Sequence, residues 1–409
     1  MSLLSRMSAP GGRDAAAVVV GRLLGDARRP ARTELHAVSA PRLPAHPAGL
    51  GFAPVGSGPA SAPGRPGGSG IVEALSGSEA SLPRRSEAAG DDLVLYCPPA
   101  VRDDPALGQE VDERLVEWAQ EVGIYPGRLD MIRRAEFGRL MMLAHPETDD
   151  VERLLAAARC GLSEWAVDDH YVDGEVEEAR PELLGQRLAV AHSVIDQAHL
   201  PLRYAPQLEQ VVQADPVAVS LRSAQRHLAA FASAAQLRRL RHELAIMFVA
   251  YNQEAVWATA GQRPPVWEFL MHRHENSFVP CMVLVDAVAG YELPYAEFAD
   301  PRVRRVFTLA GSASVIVNDL YSMAKEDPGD FSLPRLIAAE DGVSLDDAVV
   351  ATVEIHDELM HAFEAESAAL AASGSPELRR FLAGVWAWCG GSREWHARSG
   401  RYHGLADGE

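Results

Sequence analysis

The sequence predicts an all-α protein. Two observations carry that expectation. From about Leu93 onward, apolar residues recur every three or four positions through one stretch after another. No segment shows a convincing two-residue apolar alternation, and no internal repeat is present. Tyr96-Cys97-Pro98-Pro99 reads as an extended lead-in. Over Glu110–Val122, Val111, Leu115, Trp118 and Val122 mark the first helix. Helical candidates then follow at Asp130–Leu143, Val151–Val167, Pro181–Ala198, Pro216–Phe231, Ala234–Ala260 and Val266–Phe278. Arg302–Ala324, Leu345–Ala372 and Leu378–Trp395 complete the set. That many helices across residues 91–409 read as a single helical domain.

Residues 1–90 differ in kind. They hold 10 of the 27 prolines and 14 of the 33 glycines, with few aromatics. The run from Gly56 to Gly70 is low in complexity and has too little apolar surface to offset chain entropy. A disordered tail without a catalytic role is expected there.

The chain has 409 residues, is 47% hydrophobic and carries a formal net charge of −19. This acidity argues against nucleic acid and anionic membrane surfaces as partners. No apolar run reaches the ~18 residues of a membrane helix, and Met1–Arg6 lacks a secretory pattern. The four cysteines are widely spaced without a C-x-x-C pair, as expected of buried thiols in a reducing cytoplasm.

Two acidic stretches carry the chemistry: Asp168-Asp169-His170-Tyr171-Val172-Asp173, and Asn318-Asp319-Leu320-Tyr321-Ser322-Met323-Ala324-Lys325-Glu326. Asn318, Ser322 and Glu326 are spaced i, i+4, i+8, so on a helix they share a stripe roughly 80° wide. All three offer oxygen. Hard oxygen donors suit Mg²⁺, whose shell is commonly completed by substrate phosphate. Trp165-Ala166-Val167 and Val315-Ile316-Val317 precede the two motifs, so both acid sets emerge from apolar helix. Exposed acidic helix faces are the plainer alternative. Glu358-x-x-His361 has the spacing of a di-iron ligand pair but no second copy.

The pair of motifs resembles that of the class I terpene cyclases, an aspartate-rich motif followed by N-D-x-x-S-x-x-x-E. The resemblance covers residues 93–403. It implies a helical fold around an apolar cavity, and three Mg²⁺ ions held by Asp168, Asp169 and Asp173 on one side and Asn318, Ser322 and Glu326 on the other. It also implies that Arg273, Lys325, Arg401 and Tyr402 bind diphosphate, with Ser277 at a helix break beyond Arg273. Trp165, Phe269 and Trp388 are candidates for stabilising cations from the cavity wall. His170 is expected in a supporting position.

Within that family the long tail, Leu95-Tyr96-Cys97-Pro98-Pro99, D-D-x-x-x-D and Asn318–Ser322 resemble the branch that converts (E)-2-methylgeranyl diphosphate to 2-methylisoborneol. Val172 and Gly174 depart from its pattern. This resemblance implies an isoprenoid diphosphate substrate made by a separate geranyl diphosphate C-methyltransferase, and is compatible with a homodimer. Other readings are deprotonation to 2-methylenebornane, another mono- or sesquiterpene cyclase, a chain-elongating prenyltransferase, or a non-catalytic helical scaffold. The Asn/Ser/Glu form of the second motif argues against elongation.

Overall fold

Short polar side chains set where the helices begin. In the computed structural model, which describes residues 94–172, 176, 180–323 and 330–402, Asp104 accepts from Leu107 N–H. Pro105 then opens α1 (Pro105–Val122), where its missing N–H forfeits no helical bond. The tail over 1–90, Asp173, Gly174, Lys325 and Glu326 lie outside the described residues. Among the described residues every regular element is helical.

The helix expected over Asp130–Leu143 is two helices, α2 (Leu129–Ala135) and α3 (Phe137–Ala144). The break falls at Glu136, whose φ of 52° is left-handed. Asp112 of α1 explains it by accepting from Gly138 N–H at 2.6 Å and Arg139 N–H at 3.1 Å. A neighbouring helix thus supplies the N-terminal cap of α3. Position 138 must be glycine for this approach, since a Cβ there would lie 2.4 Å from Asp112 N.

α4 (Val151–Val167) starts on an Asp150 cap and leads into one π-helical turn, Asp168–Val172. α5 (Pro181–Ile195), α6 (Ala205–Gln213) and α7 (Pro216–Leu228) follow. α8 (Ala234–Ala260) opens with a reciprocal Ser233–Gln236 capping box. α9 (Val266–Arg273) stops five residues before the expected end at Phe278. Three single-turn helices come next: α10 (Val279–Met282), α11 (Val285–Val288) and α12 (Tyr295–Phe298). α13 (Pro301–Ser322), α14 (Leu333–Asp341), α15 (Leu345–Ser373) and α16 (Pro376–Arg398) complete the described chain. The sequence reading missed α6 and α14. Each is nine residues long, and α6 buries only Val212, so neither carries a long apolar stripe.

α13 packs along α15 and against α16, while α4 packs on α7, α1 and α3. The main core holds Trp388, Trp395, Phe137, Phe307, Phe363 and Phe381, all fully buried. Burying each aromatic of this kind contributes about 1.5–3 kcal/mol. The lead-in straps across α15 and α16: Tyr96 N–H donates to Asp357 at 2.8 Å and the Cys97 thiol reaches Cys389 O. Gly390 allows this, because a Cβ there would meet Pro98 O at 2.7 Å. His361 packs against Tyr96 with the rings tilted by 32° and centroids 3.8 Å apart, which gives it a packing role. The four cysteines are unpaired thiols. Among the described residues no helix is long and apolar enough to cross a membrane.

Candidate active site

The aspartate motif does not continue α4 as an ordinary α-helix. The π turn inserts an extra residue and re-aims the side chains from Asp168 onward. Asp169 is turned inward and is 1% exposed. Its Oδ2 accepts from the Tyr125 hydroxyl at 2.5 Å, and Arg401 Nη2 lies 3.6 Å from its Oδ1. Tyr125 holds this position with a φ of 54° directly before Pro126, a left-handed backbone that costs about 1–2 kcal/mol in a non-glycine residue. The Tyr125 ring also meets His170 edge-on, centroids 5.5 Å apart. Tyr171 anchors the far end of the turn by donating to Asp215 at 2.5 Å. Asp215 is also the N-cap of α7.

The second motif ends α13. Asn318 is half-buried, while Asp319 and Ser322 are 1% and 2% exposed. Arg273 comes to them from the C-terminus of α9. Its Nη2 donates to Asp319 Oδ1 at 2.8 Å and to Asn318 Oδ1 at 3.1 Å. Its Nε also reaches Asp319 Oδ1, and Nη1 donates to Asn276 O at 3.0 Å. Burial pushes the Asp319 carboxyl above its ordinary value, and Arg273 opposes this. Asn276 in turn donates to the half-buried Glu254 at 2.6 Å, whose carboxyl is likewise raised by desolvation against the pull of Arg273.

The C-terminal pair touches both motifs. Tyr402 accepts from Asn318 Nδ2 at 2.9 Å while its neighbour Arg401 faces Asp169. His396 stacks on Tyr402, centroids 4.8 Å apart, and lies 3.4 Å from Asn318 Nδ2. Asp169, Arg401, Tyr402, Asn318, Asp319 and Arg273 therefore form one connected polar network.

Ser277 lies in the break after α9. Its hydroxyl donates to His274 O at 2.7 Å and accepts from Val279 N–H, so it closes one helix and opens the next. Trp165 packs among Phe137, Phe278 and Trp395, at centroid distances of 4.5, 5.7 and 6.1 Å. Trp388 is 5.5 Å from Phe278. Phe269 stands apart from both, in a second apolar cluster with Trp257, Ile316, Leu333 and Ile337, though Arg273 Cζ is 6.0 Å from its ring.

The donor chemistry fits Mg²⁺. Among the described residues Ser322 Oγ is buried with no hydrogen-bond partner, an orphan that a hard cation would satisfy. Among the described residues no three His, Cys, Asp or Glu side chains form a metal cluster. The expected ligand sets, however, include Asn318 and Ser322, and they extend to Asp173 and Glu326.

Sequence reasoning missed Tyr125, Phe278, His396 and the part played by Asp319. Tyr125 sits in a Tyr-Pro-Gly turn that announces only a loop. Asp319 lies inside the motif, but its burial against Arg273 has no one-dimensional signal.

Residues 162–362 match the family model described as terpene synthase family 2, C-terminal metal binding. A 2-methylisoborneol synthase from Streptomyces griseus is 38% identical over 392 residues, covering 89% of each chain. One from Streptomyces ambofaciens is 41% identical over 322 residues, covering 76% of this chain and 72% of its own. The crystal structure of 2-methylisoborneol synthase from Streptomyces coelicolor with Mg²⁺ and 2-fluoroneryl diphosphate superposes with a TM-score of 0.72 at 40% identity. It covers 75% of this chain and 96% of its own. With its two motifs joined at one site, and with identity of this degree across nearly nine-tenths of a relative's length, the chain belongs to the terpene synthase family as a class I terpene cyclase.

Proposed function

We propose that the protein ionises and cyclises (E)-2-methylgeranyl diphosphate to 2-methylisoborneol, releasing diphosphate. The network that links Asp169, Arg401, Tyr402, Asn318 and Arg273 carries this reading. Relatives that bear the 2-methylisoborneol synthase name at 37–41% identity support the choice of substrate.

In this reading Asp168 and Asp173 would hold two Mg²⁺ ions, and Asn318, Ser322 and Glu326 a third. Bound Mg²⁺ supplies positive charge to the departing diphosphate. Asp169, sealed against Tyr125 and Arg401, orients the aspartate motif and the C-terminus. Arg273, Lys325, Arg401 and Tyr402 donate to diphosphate oxygens; a guanidinium fork matches that geometry. Charge developing on the leaving group is thereby stabilised as the C–O bond ionises. Diphosphate reattaches at the tertiary allylic carbon, rotation about the resulting single bond and a second ionisation follow, and the cation then closes to a 2-methyl-α-terpinyl cation and next to a bornyl-type cation, which water captures. Trp165, Phe278 and Trp388 present aromatic faces suited to cationic intermediates. The apolar walls keep water out until the last step.

Nothing in the sequence suggests a methyl-donor site, so a separate C-methyltransferase supplies the C11 substrate. The unpaired cysteines support a reducing, cytoplasmic setting. Comparison of kcat/KM for geranyl, (E)-2-methylgeranyl and farnesyl diphosphates with Mg²⁺ tests the substrate. A preference for the C11 compound is expected. A preference for farnesyl diphosphate, or chain extension with isopentenyl diphosphate, would reject the proposal.

A further inference from the structure

His396 touches the polar network of the site but has no part in the scheme above. It lies on the last turn of α16 and is fully buried. Aromatic rings hold it on several sides. It stacks on Tyr402 at 4.8 Å, meets Trp395 at 4.8 Å and Phe278 at 5.5 Å edge-on, and has Tyr321 6.0 Å away. Its Nδ1 is 2.8 Å from Ser392 O, one turn earlier on the helix. A carbonyl oxygen only accepts, so the ring proton sits on Nδ1. Nε2 then presents a lone pair, and it faces Asn318 Nδ2 at 3.4 Å.

The Asn318 carboxamide has one end that can bind a cation and one that cannot. Oδ1 carries lone pairs, whereas Nδ2 offers only hydrogens. Arg273 Nη2 donates to Oδ1 at 3.1 Å, and a guanidinium never accepts, so this contact requires oxygen at that end. At the other end, one Nδ2 hydrogen goes to the Tyr402 hydroxyl at 2.9 Å and the second points to His396 Nε2. Tyr402 alone does not fix the choice, because a hydroxyl can accept from nitrogen or donate to oxygen. His396 does fix it: a turned amide would set oxygen against the Nε2 lone pair. When Arg273 donates to diphosphate, as proposed above, His396 is the described partner of Asn318 that still tells the two ends apart.

We propose that His396 is a positioning residue for the second motif, keeping Asn318 Oδ1, rather than Nδ2, turned to the Mg²⁺ ion that Asn318, Ser322 and Glu326 would hold. The inference rests on the cyclase reading given above, which makes Asn318 a metal ligand. His396 touches neither metal nor substrate in this account; it acts through the Asn318 amide. Partners that orient a ligand in this way set metal affinity as well as geometry. The same contact ties the C-terminus to the motif, since His396 and Tyr402 stack on each other and both accept from Nδ2.

Asparagine and glutamine separate the two ring nitrogens. The asparagine amide reaches the place of Nδ1, and the glutamine amide that of Nε2. His396→Asn therefore keeps the Ser392 contact and loses Asn318, while His396→Gln does the reverse. The full chain is melted with Mg²⁺ titrated at fixed inorganic diphosphate, and the Mg²⁺ midpoint of stabilisation is read. The midpoint should rise about five-fold in His396→Asn, as for loss of one hydrogen bond, and stay within about two-fold of wild type in His396→Gln. A purely structural role, in packing or in the bond to Ser392, predicts equal shifts or the opposite order, and either overturns the inference. So does a folded His396→Asn whose midpoint does not move. If His396→Asn does not fold, ¹⁵N NMR of histidine-labelled wild-type protein decides. The His396 proton should be on Nδ1; a proton on Nε2 overturns the inference, because that nitrogen could not accept. A wild-type protein that Mg²⁺ with diphosphate fails to stabilise strikes the cyclase reading itself; a stabilised wild type with unmoved variants strikes only His396.

Discussion

Arg273 and Asp319 are joined at 2.8 Å, with the aspartate 1% exposed and the arginine half-buried at the mouth of the site. The same guanidinium also holds the carboxamide oxygen of Asn318, a proposed metal ligand. The arginine proposed to sense diphosphate is therefore positioned by the very helix that carries the second motif. Removing Asp319 takes the carboxylate from a partly buried guanidinium that keeps the neutral oxygens of Asn318 and Asn276. Asp319→Ala should cost about 3–5 kcal/mol of stability, read from urea unfolding, as for other broken buried pairs. A loss below about 0.5 kcal/mol, the range of an exposed pair, would show that the contact is not structural.

Ser322→Ala and Arg273→Ala should fail in different ways. Ser322 offers one neutral oxygen that water can partly replace, so higher Mg²⁺ should restore much of its turnover. Arg273 is proposed to act on the diphosphate, so Mg²⁺ should not rescue its loss. Equal rescue of both in Mg²⁺ titrations would contradict this division of labour.

Asp168→Asn should lower turnover by about 10²-fold or more while leaving the helical circular dichroism unchanged. Asp168 is half-buried at the end of α4, and asparagine keeps its size, so the fold should tolerate the change. Wild-type turnover at saturating Mg²⁺ would remove it from the metal site.

Tyr125→Phe keeps the ring and deletes the hydroxyl that bonds Asp169. The expected cost is about 1–3 kcal/mol, because the buried carboxylate loses a donor. The apparent Mg²⁺ requirement should rise as the aspartate turn loosens. A variant with unaltered stability and Mg²⁺ dependence would show that Arg401 alone suffices to hold Asp169.

Much of this was legible in one dimension because it rests on local rules. The helices with Asp or Ser caps and long apolar stripes, such as α4, α8 and α15, begin where their caps predict. The spacing of Asn318 and Ser322 placed both on α13, as helical geometry requires. What escaped depends on distant partners. The break at Glu136 is imposed by Asp112 from another helix. The π turn at Asp168 has no residue signature, yet it decides where the aspartates point. Phe269 is a cavity-wall candidate in the sequence because it lies one turn before Arg273, and packing places it in a separate cluster with α14, an element the sequence reading does not contain.

Product identity tests the account most directly. The full chain, Mg²⁺ and (E)-2-methylgeranyl diphosphate are incubated, and the extract is resolved by gas chromatography and mass spectrometry. The account predicts 2-methylisoborneol as the major product, dependent on Mg²⁺ and carrying ¹⁸O when the reaction is run in H₂¹⁸O. A product set without the bicyclic alcohol, or an alcohol whose oxygen does not come from water, would contradict it.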